Sequence, residues 1–339
     1  MRVIVGLRHF RVLPCLWMSN RKLASIFRLI TRSELVTKIA IVTGASRGLG
    51  RGIALVLATE ASYKVYATAR NEHALNQLKE EVDKSDCKGE VVPSPLDQTD
   101  DKAVIEFANH VSSSEDKIDL LVNSAYDGFF AMTPHFGKPF WERPISVYDS
   151  HMDVGVRSSY VMSKVVIPSM VKEKNGLIVQ ISSYGGFVYF CSVGYGVSHA
   201  AMDRLTFDMA TELRDHNVKA INLHPAGAQT EITSFPDGES PKYVGRAVMA
   251  LSEKADEDFL SKANGKTVFT ANLANEFGFK EDYDTDGSVN RARLEAAKPF
   301  LEMMAKPVPQ YDIESELPNY TDFNNEGLAE IFAGAKPKK

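Results

Sequence analysis

The sequence predicts an α/β protein built on a doubly wound parallel sheet, and three observations support this prediction. Short β-branched runs alternate along the chain with longer amphipathic stretches. Some of these runs, such as residues 118–122, are almost entirely apolar, which is typical of strands covered on both faces. A glycine-rich turn separates the first run from the first amphipathic stretch. We therefore expect helices on both sides of the sheet and a ligand site at the carboxyl ends of its strands.

The individual elements follow from these patterns in order. Strands are predicted at Lys38–Thr43, Lys64–Thr68, Glu90–Val92, Ile118–Val122, Leu177–Ser182, Val218–Leu223 and Lys266–Phe269. Helices are predicted at about 48–60, 72–84, 100–113, 148–173, 195–214 and 241–252. After about residue 275 the strand pattern stops. We therefore divide the chain into an N-terminal extension, 1–36, one α/β domain, 37–275, and a C-terminal extension, 276–339.

The composition excludes several classes of protein. The 339 residues are 44% hydrophobic and 24% charged, so the chain can bury a full core. Its net charge of −5 argues against nucleic acid as a partner. Cys15, Cys87 and Cys191 are too few and too far apart for a disulfide framework or a zinc site. We expect a reducing compartment and no bound metal.

The first 36 residues form a basic N-terminal extension. Residues 1–33 contain seven arginine and lysine residues and no carboxylate. Apolar residues recur there at helical spacing, with arginines towards the other face: Leu23, Ile26, Phe27 and Ile30. This composition is typical of a mitochondrial transit peptide.

Two other interpretations of the extension stay open. It is also compatible with a helix that lies on an anionic membrane surface, such as that of the endoplasmic reticulum. Alternatively, it is an untargeted extension of a cytoplasmic protein, with Met18 as an internal start. The longest apolar stretch, residues 3–18, is interrupted by Arg8, His9 and Arg11, so a membrane-spanning helix is not expected.

The glycine-rich turn has the features of a dinucleotide-binding loop. It reads TGASRGLG over residues 43–50 and lies between a strand and a helix. Gly44 permits the tight turn, Gly48 lets the backbone approach a pyrophosphate, and Gly50 lets the helix pack closely on the strand. The helix amino terminus offers N–H groups and a positive dipole to phosphates. We expect the cofactor to contact Gly44, Ser46, Arg47, Gly48, Leu49 and Gly50.

The residues after the second and third strands bear on the type of dinucleotide. NAD is usually held by an acid at the end of the second strand, but this chain has Ala69, Arg70 and Asn71 there. Arg70 and Arg47 offer guanidinium groups suited to a 2′-phosphate, which favours NADP(H) over NAD(H). Asp97, after the third strand, is a candidate contact for the adenine ring. Solvated surface arginines and an ordinary turn aspartate are the alternatives.

Several motifs in order resemble the short-chain dehydrogenase/reductase family. They are residues 43–50, Asn123-Ser124-Ala125, Ser182-Ser183, Tyr195 and Pro225, and the resemblance runs from about Thr37 to Phe279. It implies a Rossmann fold and hydride transfer between a nicotinamide and a carbonyl or alcohol. It also implies a homo-oligomer, and cofactor contacts from Asn123, Ala125, Tyr195, His199, Pro225 and Thr230.

The resemblance assigns proton exchange to Tyr195. A phenol is protonated at neutral pH, with a reference pKa of about 10, which suits a general acid. Ser183, at the end of the fifth strand, is implied to hydrogen-bond the substrate oxygen and stabilise its developing charge. Ser182 competes for this role, because it is the neighbouring hydroxyl.

The chain departs from the family pattern at His199, where a lysine is usual four residues after the tyrosine. The i, i+4 spacing places His199 on the same helix face as Tyr195. A neutral imidazole can donate one N–H to ribose hydroxyls, but it does not lower the tyrosine pKa as a lysine charge does. We therefore expect reduction to be favoured and the pH profile of oxidation to be displaced upward. The alternative is a nucleotide-binding protein without catalysis.

Two further departures concern the surroundings of the tyrosine. Asp153 stands where we expect a family asparagine that supports a proton relay, and near His199 it would raise the histidine pKa. Tyr126 replaces a common glycine. Aromatic residues follow Tyr126 in a long loop and are candidates for the wall of an apolar carbonyl or alcohol site, or for core packing: Phe129, Phe130, Phe136, Phe140 and Trp141.

Overall fold

The computed structural model describes residues 37–304, apart from residues 136–137, 188–191, 234 and 236. The N-terminal extension, residues 1–36, and residues 305–339 lie outside the described residues. The expectations on targeting and on contact with a membrane surface fall on the first of these segments.

Seven parallel strands form one sheet in the order β3-β2-β1-β4-β5-β6-β7. The strands are β1 Ile39–Thr43, β2 Lys64–Ala69, β3 Glu90–Pro95, β4 Leu120–Asn123, β5 Gly176–Ile181, β6 Val218–His224 and β7 Thr267–Phe269. The sheet is extended in opposite directions from β1, first through β2 and then through β4. The predicted doubly wound fold is confirmed, and the switch of direction at β1 marks the place where such folds bind ligands.

Helices connect the strands and cover both faces of the sheet. In chain order they are α1 Gly48–Ala61, α2 Glu72–Asp83, α3 Asp101–Ser114, α4 Gly128–Met132, α5 Ile145–Ser150, α6 Ser158–Glu173, α7 Val193–Glu212, α8 Pro241–Glu253, α9 Glu257–Ala263, α10 Thr270–Phe277 and α11 Ser288–Met304. Short 3₁₀ turns lie at Thr133–His135, Phe140–Glu142, Tyr184–Gly186 and Arg214–His216.

Strands β1 to β6 contribute alternate residues to two separate cores. Ala40 and Val42 of β1 pack with α1, α2 and α8 on one face. Ile39 and Ile41 of the same strand pack with α3, α6 and α7 on the other face. Burial of an aliphatic side chain such as Ile41 contributes about 1.5–3 kcal/mol relative to exposure. The apolar runs in the sequence arise because both faces of the strands are covered.

The structure adds features that the helical patterns did not predict. The helix expected at 148–173 is interrupted by a π-helical turn at His151–Arg157, between α5 and α6. Three further helices, α9, α10 and α11, follow the end of the last predicted helix. Over the ranges that the structure describes, we find no helix with both the length and the apolar character needed to cross a membrane.

Candidate active site

A cleft of about 380 Å³ opens beside the carboxyl ends of the central strands. Most of the predicted site residues line it, because their loops all follow parallel strands that end at the same edge of the sheet. The predicted residues that line the cleft are Gly44, Ser46, Arg47, Gly48, Leu49, Gly50, Arg70, Asp97, Ala125, Ser182, Ser183, Tyr195, His199, Pro225 and Thr230. The topology therefore brings the glycine loop and the tyrosine motif to one site.

The glycine loop between β1 and α1 has little room for side chains. Gly44 has a φ of +70°, and a Cβ there would lie 2.8 Å from the Cα of Ala125. A Cβ on Gly50 would lie 2.4 Å from the carbonyl oxygen of Gly44. At the start of α1, the Gly48 N–H donates to Oε2 of Glu231 at 2.9 Å. This helix terminus therefore binds an anionic group, here a carboxylate from the same chain.

Two arginines meet one carboxylate next to the glycine loop. Arg70 Nη2 lies 3.2 Å from Oδ1 of Asp127, and Arg47 Nη2 lies 4.0 Å from the same oxygen. Both guanidinium groups are exposed at the cleft. Asp97 accepts hydrogen bonds from the backbone and the hydroxyl of Thr99, and the backbone bond lowers its pKa most. The end of β2 therefore presents two exposed guanidinium groups beside one carboxylate, and guanidinium groups bind phosphates through paired hydrogen bonds.

Tyr195 and His199 lie one helical turn apart on α7. Ser192 caps this helix by accepting the N–H of Tyr195 at 3.0 Å, which fixes the first turn. The two ring centroids are 4.2 Å apart. Tyr195 lines the cleft although only 9% of its surface is exposed. The predicted common helix face is thus present, with the phenol at the cleft.

His199 is buried and uncharged at neutral pH. Burial lowers its pKa well below the ordinary value, and His224 and His151 lower it further. Its Nδ1 lies 3.2 Å from Oγ of Ser182. Its Nε2 has no hydrogen-bond partner within the described part of the chain. His199 is therefore a neutral group that can form hydrogen bonds, as the sequence predicts, and does not supply a lysine-like charge.

The two serines after β5 differ in their partners. Ser182 Oγ lies near both Nδ1 and the carbonyl oxygen of His199. Ser183 Oγ accepts the N–H of Gly185 at 3.2 Å, which leaves its hydroxyl hydrogen for another acceptor. Both side chains are nearly buried at the cleft wall.

Two predicted site residues do not line the cleft. Asn123 is buried at the end of β4, where its amide donates to Oγ of Ser163 at 3.0 Å. Asp153 is exposed on the π-helical turn. The structure does not bring Asp153 to His199, and the pKa of His199 is lowered rather than raised. The physical reason is that the turn directs Asp153 outward, while buried Gly155 packs against Tyr126.

The structure also places groups at the site that the sequence did not indicate. Glu231 accepts the N–H of Gly48 in the glycine loop, and Asp127 pairs with Arg70 after β2. His151 is fully buried behind Tyr195, with ring centroids 6.3 Å apart. A single histidine without neighbouring motif residues does not indicate a functional site in a sequence, so His151 could not be predicted. Tyr126, by contrast, was recognised because it departs from the family pattern. Phe136 lies outside the described residues.

Among the residues that the structure describes, we find no group of three histidine, cysteine or carboxylate side chains placed to hold a metal ion.

A fold with this strand order, with a glycine loop and a tyrosine at one cleft, defines a class of nicotinamide-dependent oxidoreductases. The chain belongs to the short chain dehydrogenase family, whose model matches residues 38–237. The resemblance seen in the motifs is thereby confirmed. Dehydrogenase/reductase SDR family member 1 of Mus musculus is 36% identical over 271 residues, which cover 74% of this chain and 84% of the mouse protein. The Homo sapiens protein of the same name is 35% identical over the same shares.

Solved structures show the same fold. A metagenomic short-chain oxidoreductase in complex with NADP has a TM-score of 0.58 and 27% identity, covering 68% of this chain and 96% of its own. A 7 alpha-hydroxysteroid dehydrogenase complexed with NADH and 7-oxo glycochenodeoxycholic acid has a TM-score of 0.59 and 24% identity, covering 68% and 92%. The second likeness bears on the fold alone.

Proposed function

We propose that the protein is an NADP(H)-dependent reductase of apolar carbonyl compounds. The observation that carries this proposal is the single cleft that holds the glycine loop, two arginines, Tyr195 and Ser183. The proposal extends the family's oxidoreductase chemistry to a particular cofactor, direction and substrate class.

The residues of the cleft fit a nicotinamide dinucleotide. Gly44 and Gly50 leave no space for a Cβ, and the start of α1 already binds an anion. Arg47 and Arg70 support NADP(H), because they are exposed and no acid ends β2. One structural relative was solved with NADP. Pro225 and Thr230 line the same cleft and would hold the nicotinamide portion of the cofactor.

The bound cofactor supplies the hydride, and this chain supplies the proton. Tyr195 would donate its phenol hydrogen to the substrate oxygen as the carbonyl becomes an alcohol. Ser183 would donate a hydrogen bond from its hydroxyl to the same oxygen and stabilise the negative charge that develops there. Ser182 suits a supporting role, since it is engaged with His199.

The neutral state of His199 supports a preference for reduction. A nearby positive charge would lower the pKa of Tyr195 and make it a better base. Because burial keeps His199 uncharged, that effect is absent, and Tyr195 stays a proton donor. Oxidation of alcohols is therefore expected only at higher pH.

The lining of the cleft supports an apolar substrate. Phe129 and Phe235 line it together with Ile232 and Tyr126. Such a wall favours compounds such as steroids, retinoids or xenobiotic ketones, which are held by apolar contact with a few polar groups.

The test is NADPH oxidation by the full-length protein across a panel of apolar ketones and aldehydes. We expect turnover in the wild type and none with Tyr195→Phe, because the variant keeps the ring and loses the proton. NADPH binding by the variant, measured by fluorescence, should fall by no more than about tenfold, the loss of one hydrogen bond from a cofactor contact. Equal turnover by the wild type and Tyr195→Phe would overturn the assignment of the proton donor.

A second candidate is a nucleotide-binding protein without turnover, which the uncharged His199 favours. The variant His199→Lys separates the two functions. Turnover that appears only in this variant supports the binding protein. Oxidation at pH 7 that is the same in wild type and variant would instead contradict the proposed effect of His199 on direction.

Two proposals concern the protein's surroundings. Assembly as a homo-oligomer is proposed from the family resemblance, and light scattering of the purified chain tests it. A mitochondrial location is proposed from the composition of residues 1–36, against an endoplasmic reticulum surface or the cytoplasm. Fractionation of cells that express the chain with and without these residues distinguishes the three.

A further inference from the structure

His151 occupies a closely fitted pocket behind the tyrosine. Its side chain is fully buried at the start of the π-helical turn. Two glycines make room for the ring. A Cβ on Gly128 would lie 2.0 Å from Nδ1, and a Cβ on Gly194 would lie 2.7 Å from Cδ2. Because these glycines come from α4 and α7, the imidazole is enclosed by two elements besides its own.

Tyr126 joins this histidine to the helix that carries Tyr195. Its hydroxyl lies 2.6 Å from Nδ1 of His151 and 3.1 Å from Oγ of Ser198. Ser198 Oγ in turn donates to the carbonyl oxygen of Tyr195 at 3.0 Å. The Tyr126 ring takes the space beside Gly155, where a Cβ would lie 2.9 Å from it. Four residues therefore form one continuous chain of hydrogen bonds.

All three hydrogen bonds can form together only if each donor points the same way along the series, from His151 towards Tyr195. The backbone carbonyl oxygen of Tyr195 can only accept a hydrogen bond, so the Ser198 hydroxyl must donate its hydrogen to it. Tyr126 must then donate to Ser198, and His151 must donate to Tyr126 through Nδ1–H. Burial, with a contribution from Arg143, lowers the pKa of His151 to about 4. His151 is therefore neutral at pH 7, with its hydrogen on Nδ1.

Two residues of this hydrogen-bonded series, Tyr126 and His151, also pack against the ring of Tyr195. Tyr126 packs edge-on against it, with centroids 6.1 Å apart and an interplanar angle of 90°. His151 packs against the same ring at 6.3 Å and 87°. A phenol that must meet a substrate oxygen depends on such support, because misplacement by about 1 Å can reduce a rate about a hundredfold.

We propose that His151 and Tyr126 are a positioning pair for Tyr195, acting through a one-way hydrogen-bond chain from His151 Nδ1–H to the Tyr195 carbonyl. The proposal rests on the proposed function for its catalytic consequence. Its structural content, the Nδ1–H form of His151, does not depend on any substrate.

The first test is ¹⁵N NMR of the histidine side chains in the full-length protein. The signal of His151 is identified by its loss in His151→Asn. We expect a neutral ring protonated on Nδ1 from pH 5.5 to 8, and a change in its Nδ1 shift in Tyr126→Phe. A ring protonated on Nε2, a ring that titrates near pH 6.5, or no response to Tyr126→Phe would overturn the proposal.

The second test is kinetic. Tyr126→Phe and His151→Leu should lower kcat at least about tenfold, with NADPH affinity and KM within about twofold of the wild type. His151→Asn should recover most of kcat, because its amide N–H can replace Nδ1–H, whereas a purely space-filling role would favour Leu over Asn. If His151→Leu does not fold, Tyr126→Phe and His151→Asn still decide the matter.

Tyr63→Phe is the matched control. The Tyr63 hydroxyl likewise makes a partly buried contact, 2.6 Å to Oε1 of Glu253, but Tyr63 lies outside the cleft lining. It should reduce stability without a specific loss of kcat. Wild-type kcat in Tyr126→Phe, or equal losses in His151→Asn and His151→Leu, would refute the pair. Absence of turnover in the wild type would contradict only the proposed function, since the NMR result stands independently.

Discussion

Glu239 should make the free energy of unfolding depend on pH between 4.5 and about 7. Its carboxyl is completely buried, and Oε1 accepts the hydroxyl of Thr270 at 2.5 Å. Burial raises the pKa of Glu239 from 4.5 to about 7, although Thr270 and the Arg293 guanidinium act in the opposite direction. The folded protein therefore holds a proton that the unfolded chain releases near pH 4.5.

The sign and size of the effect follow from this difference. The stabilisation is fully present below pH 4.5 and is lost as the pH rises through 7. One pKa unit corresponds to about 1.4 kcal/mol, so the shift from 4.5 to about 7 corresponds to about 3 kcal/mol. This is a large fraction of the about 5–15 kcal/mol that stabilises a typical domain.

The loss affects the loop that carries Thr230. The Glu239 N–H donates to the carbonyl oxygen of Gly227 at 2.8 Å, and the Gln229 N–H donates to the Glu239 carbonyl at 2.9 Å. The backbone on either side of Thr230 is thus closed by the same residue whose carboxyl becomes charged. We expect this loop to loosen first above pH 7.

The assay is urea unfolding at pH 5 and at pH 7.5 for the wild type and Glu239→Gln. The amide keeps an acceptor for Thr270 and cannot ionise, so the variant should gain about 2 kcal/mol relative to the wild type between the two pH values. Glu80→Gln, at an exposed helix position, is the control and should show no such gain. Parallel pH profiles for the wild type and Glu239→Gln would refute the reasoning.

Three other predictions test the glycine loop, the cofactor and the buried histidine. Gly50→Ala should abolish NADPH binding in a fluorescence titration, because its Cβ would lie 2.4 Å from backbone oxygen; retained binding would contradict the close packing of the loop. Arg70→Asp should weaken NADPH binding about tenfold and leave NADH binding unchanged or stronger, and equal losses for both would argue against a 2′-phosphate site. His151, with a folded pKa of about 4 against an ordinary 6.5, should destabilise the fold as the pH falls between these values. At pH 4.5 this loss amounts to about 2 kcal/mol in the free energy of unfolding, and His151→Asn should not show it. If the variant loses as much stability as the wild type between pH 6.5 and 4.5, His151 is not the group responsible.

The sequence was sufficient for the fold and for the general layout of the cleft. The apolar strands and the glycine turn predicted the doubly wound sheet, which the strand order confirms. Loops after parallel strands necessarily meet at one edge, so motif order alone placed Tyr195 near Gly44. The spacing of four residues likewise placed His199 beside Tyr195.

The remaining features depend on contacts between distant segments. His151 fits its pocket because Gly128 and Gly194 lie against its ring. Both glycines are far from His151 in the sequence, so no local pattern connects them with it. The π-helical turn moved Asp153 away from the histidine that we expected it to affect. Glu231 reaches Gly48 across 183 positions of sequence. Periodicity reports which face of an element is apolar, but not which side chains from other elements meet that face.

The carboxylate of Glu231 has a consequence for what the start of α1 will bind. It belongs to the same molecule as the Gly48 N–H, so it competes with any incoming anion at a high effective concentration. Ligand affinity is reduced by the fraction of molecules in which the carboxylate is in place. A small anion that merely replaces one carboxylate by another gains almost nothing from the exchange. This reduction is the same for every anion, so a pyrophosphate, which has more charge and more acceptor oxygens, retains useful affinity where a single carboxylate does not.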